Sequence, residues 1–263
     1  MKEVKVVIEF IKIRLKSTLI FRASSITGVV SSCVYAGINI FVILRTIYSR
    51  VDTILGWSRE EVIVLQGIMM TILYLYKMMA GGGTGNLSYF VEFGYLDPFL
   101  TKPIKPEVVI PFMEQRIEML PRILVGILVI LYGLSLTGGD FDSIRVFAFV
   151  LSIILSFFVF TLFNFALNLV AFWNYRVYML YNITEDLVTF ANYPVRIFGR
   201  VINFLFLTLV PVGVVSNLPA KIILMKGGLL IIILHQVVVL ALMYLIVRVM
   251  WHFGLKRYEG VGN

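Results

Sequence analysis

The chain has little of what keeps a protein soluble. Only 14% of its 263 residues are charged, against about 25% in an ordinary soluble domain. By contrast 60% are hydrophobic, and the mean hydropathy is +0.94. The single cysteine, Cys33, excludes an intrachain disulfide and a thiolate zinc site; it lies in an apolar run and reads as a small packing residue. Of two histidines, His235 has no second histidine or carboxylate at ligand spacing, so neither a metal nor a histidine-based catalytic pair is expected. The glycine run Gly81–Gly85 lacks the Lys-Ser/Thr pair that would close a phosphate loop, so no nucleotide cofactor is expected. No early apolar core with a small-residue cleavage site is visible, so no cleavable signal is expected. Together these absences exclude a soluble domain and leave no catalytic set for an enzyme.

What is abundant is long uncharged runs. A helix needs roughly 20 apolar residues to cross about 30 Å of hydrocarbon. Six such stretches are predicted, at 23–44, 61–80, 119–137, 145–173, 199–216 and 228–250. The expected fold is therefore all-α and polytopic, a single membrane domain over 1–263. Pro211 and Gly213 interrupt the fifth stretch, and Pro219 follows, so the segment before the last span reads as a broken helix dipping back into the outer leaflet. The alternative there is a long outer loop with a short interfacial helix.

Basic residues set the orientation. Lys and Arg total 23 against 15 Asp and Glu, a net charge of +8. In a soluble protein that excess would suggest nucleic acid; here it reads as the positive-inside signal, with no nucleic-acid partner expected. With both termini inside, 17 of the 23 basic residues fall on the cytoplasmic side. Trp57 is then expected at the outer interface and Trp173 and Trp251 at the inner one. Residues 1–22 carry polar side chains at Lys2, Lys5, Glu9, Lys12 and Lys16, with Val4, Val7, Ile8, Ile11 and Leu15 opposite, the stripe of an interfacial amphipathic helix.

The loop between the second and third spans, residues 81–116, is expected to face the cytoplasm. Its glycines read as a flexible exit from the span. Half of the chain's eight prolines fall between Pro98 and Pro111, which stiffens the backbone and disfavours a long helix. Tyr95, Leu96, Phe99 and Leu100 supply apolar anchors, and Asp97, Lys102 and Lys105 surround them, the composition of a docking surface. A plain re-entry turn folded on its own helices is the alternative.

Other polar groups were weighed as sites. Lys77 sits near the end of the second span, where it snorkels. Glu114, Glu118 and Arg122 stand at helical spacing, a charged approach to the third span with Glu118 pairing Arg122. Asn164, Asn168, Asn203, His235 and Gln236, with Asn39, are the intramembrane polar residues; they either bond between helices or line a substrate path. Asp140 and Asp142 read as a solvated turn with a helix cap. The glycosylation sequons at Asn86 and Asn182 fall on the predicted cytoplasmic side and are discounted.

Three patches resemble a known family. One is Gly94-Tyr95-Leu96-Asp97-Pro98-Phe99-Leu100-Thr101-Lys102-Pro103 after the second span. A second is Trp251-His252-Phe253-Gly254-Leu255-Lys256-Arg257-Tyr258, and the third is Tyr193-Pro194. Together with the span layout they resemble type-2 ABC transporter permeases, in particular an uncharacterised prokaryotic six-span branch. Its tails close with small Ser or Ala residues where this chain has Gly-Val-Gly. The resemblance implies a permease subunit in a prokaryotic cell membrane, more specifically an exporter. It implies a cytoplasmic ABC ATPase dimer as partner and a second permease subunit, homologous or identical. It also implies that the loop around Tyr95, Leu96, Asp97, Pro98, Phe99, Leu100, Lys102 and Pro103 docks the ATPase, which alone would hydrolyse ATP. An ion-coupled carrier would show ionisable groups at mid-span and two related halves, and neither is seen. A structural assembly subunit remains a third reading.

Overall fold

A computed structural model describes residues 2–18, 27–34, 37–38, 40–41, 48, 51–139, 141–174 and 186–258. It is 80% helical. Among the described residues four helices are long and apolar enough to cross a membrane: Arg59–Met79, Ile117–Thr137, Ser143–Phe172 and Leu229–Leu255. A fifth candidate is the pair Val195–Leu207 and Val212–Ile223, bent by 103° at its break. Within the predicted first span, residues 27–34 are helical. Asn39, Asp140, Arg176, the Asn182 sequon and the tail beyond Tyr258 lie outside the described residues.

The Arg59–Met79 helix is central. It starts at a capping box: the Ser58 N–H donates to Glu61 Oε2 at 2.7 Å and the Glu61 N–H to Ser58 Oγ at 3.4 Å, satisfying amides the first turn leaves free. A small ribbon, Thr53–Ile54 against Trp57–Ser58, delivers the chain to that cap. Lys226, just before the last long helix, pairs with Glu61 at 2.8 Å and lies 5.3 Å from the Trp57 ring.

The next helix, Leu120–Thr137, packs antiparallel along a seam of glycines. A methyl at Gly67 would stand 2.7 Å from the Ile130 nitrogen; one at Gly126, 2.9 Å from the Thr71 nitrogen; one at Gly133, 2.9 Å from the Val64 nitrogen. Only residues without Cβ allow this approach. In a bilayer, where apolar side chains gain nothing by leaving lipid, such close backbone packing holds helices together.

The Ser143–Phe172 helix packs on the last helix and on Val212–Ile223. Fully buried Gln236 donates to the Ser152 carbonyl at 3.2 Å and to Ser156 Oγ at 2.9 Å, and accepts from Ser152 Oγ at 2.8 Å. Ser156 Oγ continues the chain to the Val214 carbonyl at 3.3 Å. Three elements are thereby joined by satisfied polar groups.

Two ends can now be distinguished. Residues 80–116, Phe172, Trp173 and Trp251–Tyr258 form the loop end; the ribbon, Glu61 and Lys226 form the opposite end. The expected span 199–216 is broken where Pro211 and Gly213 stand. Its helix stops at Leu207, and the chain turns sharply before Pro211. The freed Leu207 carbonyl is met by His235 Nε2 at 2.8 Å. Arg196, Gly199, Arg200 and Asn203 line a cavity of about 400 Å³ with Leu55, at the opposite end. Arg196 and Arg200 therefore do not belong with the loop-end charges among which the sequence count placed them. The chain changes ends between Asn174 and Arg196.

Two of the three tryptophans face inward. Trp57 and Trp251 are buried, and of the three tryptophans Trp173 alone is exposed. Each buried indole has partners inside the fold: Lys226 for Trp57, and the Phe165 and Phe172 rings for Trp251, at 6.1 and 5.6 Å. The Lys2–Thr18 helix touches Pro106–Val109 and Ile117–Met119, leaving Val4, Ile8 and Ile13 exposed.

Candidate functional site

The loop is built, not flexible. After Met79 the chain makes a helical turn, Gly81–Gly85. Thr84 donates to the Ala80 carbonyl at 2.6 Å and shares a 2.7 Å hydrogen bond with the Tyr76 hydroxyl. Gly82 and Gly83 lie hard against Glu114, Ile110 and Pro111, where a Cβ would collide with backbone. The returning strand is fastened too: Asn86 Nδ2 donates to Glu114 Oε2 at 2.5 Å, and the Arg116 N–H to the Met78 carbonyl at 2.8 Å. Gly82 and Gly83 thus serve close approach, whereas a Cβ at Gly85 would meet nothing within 4 Å. Residues 113–116 are not helical, so Glu114 does not share a helix face with Glu118 and Arg122. Arg122 lies 5.5 Å from the Tyr74 ring.

Beyond the base, Leu87–Glu92 is a short amphipathic helix. Leu87, Phe90 and Val91 point inward, and Tyr89 points out. Gly94 turns the chain at φ 72°, a left-handed conformation that suits glycine. A second helical turn, Asp97–Leu100, follows with Pro98 in its first turn, where the missing amide costs nothing. Pro106–Val109 is a third.

The eight loop residues singled out from sequence divide by direction. Leu96 is fully buried and Asp97 faces inward; Phe99 is half-buried with the Lys102 ammonium 5.5 Å from its ring. Tyr95, Pro98, Leu100, Lys102 and Pro103 are exposed. Tyr95 belongs to an aromatic group that sequence reading missed. It stacks on Tyr89 at 5.2 Å, and Tyr89 meets Phe93 at 4.7 Å. Tyr89, Phe93 and Tyr95 are 42%, 52% and 51% exposed, respectively.

Underneath, the loop sits on the Ser143–Phe172 helix and on the last long helix. Leu87, Phe90, Val91, Leu96 and Ile110 form one cluster with Phe165, Leu169, Phe172 and Trp251. Gly254 admits the Phe172 ring, and Tyr258 meets the same ring at 6.3 Å. Two polar ties reinforce this seat. The Tyr258 hydroxyl donates to Asp97 Oδ1 at 2.7 Å; burial, then the Asp97 bond and charge, push the Tyr258 hydroxyl well above its ordinary pKa. Arg248 Nη1 pairs with Glu107 Oε1 at 2.5 Å, and the Glu107 side chain is 7% exposed. Asp97 and Tyr258 come from two of the patches that carried the resemblance, and the fold brings them together. The third patch is held elsewhere: Asn217 Oδ1 accepts from the Val195 N–H at 3.0 Å, and its Nδ2 donates to the Tyr193 carbonyl at 3.2 Å.

The five intramembrane polar residues are dispersed. Asn164 donates to the Phe160 carbonyl at 2.8 Å and Asn168 to the Asn164 carbonyl at 2.9 Å, both within their own helix. Gln236 joins the serines, His235 meets Leu207, and Asn203 lines the cavity at the opposite end. Among the described residues no three His, Cys, Asp or Glu side chains could hold a metal ion.

A family model described as ABC-2 family transporter protein matches residues 33–262. No curated protein and no solved structure matches the chain. A match over nearly the whole length, on a helical chain with four or five membrane-length helices, places the protein in the ABC-2 transporter family, as a multi-pass membrane permease of an ABC transporter.

Proposed function

We propose that the chain is one permease subunit of an ABC exporter and that its 81–116 loop docks a cytoplasmic ABC ATPase. The observation that carries this reading is the exposed trio Tyr89, Phe93 and Tyr95, stacked together on a rigid loop at one end of the bundle. Aromatic side chains without a cover, rimmed by charge, are the usual anchors of a protein interface. Exposed Lys102, Lys105, Lys256 and Arg257 stand at the same end. Moving Arg196 and Arg200 to the opposite end leaves 15 of the 23 basic residues here, which still favours this end as cytoplasmic.

The same reading makes residues 1–263 one membrane domain with both termini inside and residues 1–22 as an interfacial helix. It needs six crossings. Asn174 at the loop end and Arg196 at the opposite end support reading Val195–Leu207 and Val212–Ile223 as the outer re-entrant segment, in place of a fifth span at 199–216. A second permease subunit, identical or related, completes the pathway, and ATP chemistry belongs to the ATPase.

The test is co-expression with the ABC ATPases of the source cell and capture in detergent. Phe93→Ala with Tyr95→Ala should lower ATPase capture at least tenfold while leaving membrane insertion and detergent monodispersity unchanged. Undiminished capture by that variant removes the loop from the interface.

A further inference from the structure

The loop leads out of one helix and into the next, yet it does not rest chiefly on either. Its apolar underside, with Leu96 at the centre, packs on Phe165, Leu169 and Phe172 of the Ser143–Phe172 helix and on Trp251 of the last. Two polar ties go to the last helix or the turn that follows: Asp97 to Tyr258 and Glu107 to Arg248. Its own approach and exit are closed on each other instead, through Gly82 and Gly83 against Glu114 and through Arg116 to Met78. Asp97 lies next to the exposed trio but is half-buried and bonded to Tyr258, and Glu107 is buried. These two carboxylates face the protein's own last helix, not a partner.

We propose that Asp97–Tyr258 and Glu107–Arg248 are transmission ties: a displacement of the docked loop moves the Leu229–Leu255 helix with it. The apolar seat alone would not suffice for this. A greasy contact slides at small cost, because it has no preferred register, whereas hydrogen bonds and ion pairs fail beyond a fraction of an ångström. Two ties, 10 residues apart on the loop and 10 apart on the last helix and its turn, also resist rotation about either one. Tyr258, Arg248, Asp97 and Glu107 are thus positioning residues for the coupling step, not members of the ATPase interface.

The inference rests on the docking reading, and the experiment separates the two. Cys33→Ser provides a cysteine-free background, and a single cysteine is placed at Leu230, an exposed position at the far end of the last helix. The purified complex with its ATPase is reacted with a membrane-impermeant maleimide, with and without a non-hydrolysable ATP analogue. Tyr258→Phe and Arg248→Gln are tested singly and together. The expected result is unchanged ATPase capture, with the nucleotide-dependent change in labelling reduced about twofold by each variant and abolished by both. The charge exchange Glu107→Arg with Arg248→Glu, in the Tyr258 wild-type background, should restore it above the Arg248→Gln level. A double variant that keeps the full nucleotide response overturns the transmission role. So does loss of ATPase capture by the double variant, which would put the ties in the interface. A chain that captures no ATPase at all overturns the docking reading itself, and the ties' role with it.

Discussion

At the scale of single residues, the Asp97–Tyr258 bond is the most informative contact in the molecule. Its donor has a raised pKa, so its contribution is complete below the unfolded tyrosine value of about 10 and is lost only as pH climbs through the still higher folded value. Thermal stability in detergent should therefore show no step from this bond between about pH 6 and pH 9. Tyr258→Phe should lower stability by about 1–2 kcal/mol at any pH in that window, since one charge-assisted, partly solvated hydrogen bond is removed. A melting difference that appears only on the acid side would assign the effect to another group. The bond also marks a limit of sequence reading. Asp97 and Tyr258 each stood in a recognisable patch, but 161 residues separate them and no periodicity links a loop to a tail. Tyr89 and Phe93 were passed over for a related reason: short helical turns expose every third or fourth side chain, and which one faces out depends on what lies beneath.

At the scale of elements, the long helices were legible because hydrocarbon imposes a length and forbids charge. Four of the predicted spans are matched by long helices. In the fifth the sequence itself marks a break, at Pro211 and Gly213. Pro211 has no amide to bond the Leu207 carbonyl, His235 meets that carbonyl instead, and the run becomes two pieces at 103°. The glycine seam was equally invisible, since Gly67, Gly126 and Gly133 belong to different helices and acquire meaning only when paired. It yields a sharp expectation. Gly126→Leu should destabilise the helix pair by about 1–3 kcal/mol, because the added carbons meet Thr71 backbone that cannot retreat. The same substitution at Gly37, where a Cβ meets nothing within 4 Å, should be nearly silent. Differential melting of the two purified variants in detergent checks this.

At the scale of the whole molecule, the two ends differ in kind. The loop end is apolar beneath and aromatic above; the opposite end holds the Lys226–Glu61 pair and the Arg196–Arg200 cavity. Single cysteines at Lys102 and at Arg200, in a Cys33→Ser background, should be labelled from opposite sides of the membrane in intact cells, with Arg200 reached from outside. Labelling of both from one side would reverse the revised placement of the bent pair. The sequence count put Arg200 inside; the positive-inside rule counts residues near span ends, so a shifted span carries its charges across with it.

The seat beneath the loop has a consequence for how the protein is made. Leu96 and Asp97 leave the ribosome long before Trp251 and Tyr258, so the platform on which the loop rests does not exist until the last helix has been inserted. Until then the aromatic trio has no fixed backing. A stalled or truncated permease would therefore lack the finished loop seat, and on the proposed docking role an ATPase would be recruited only to chains whose synthesis had passed the last helix.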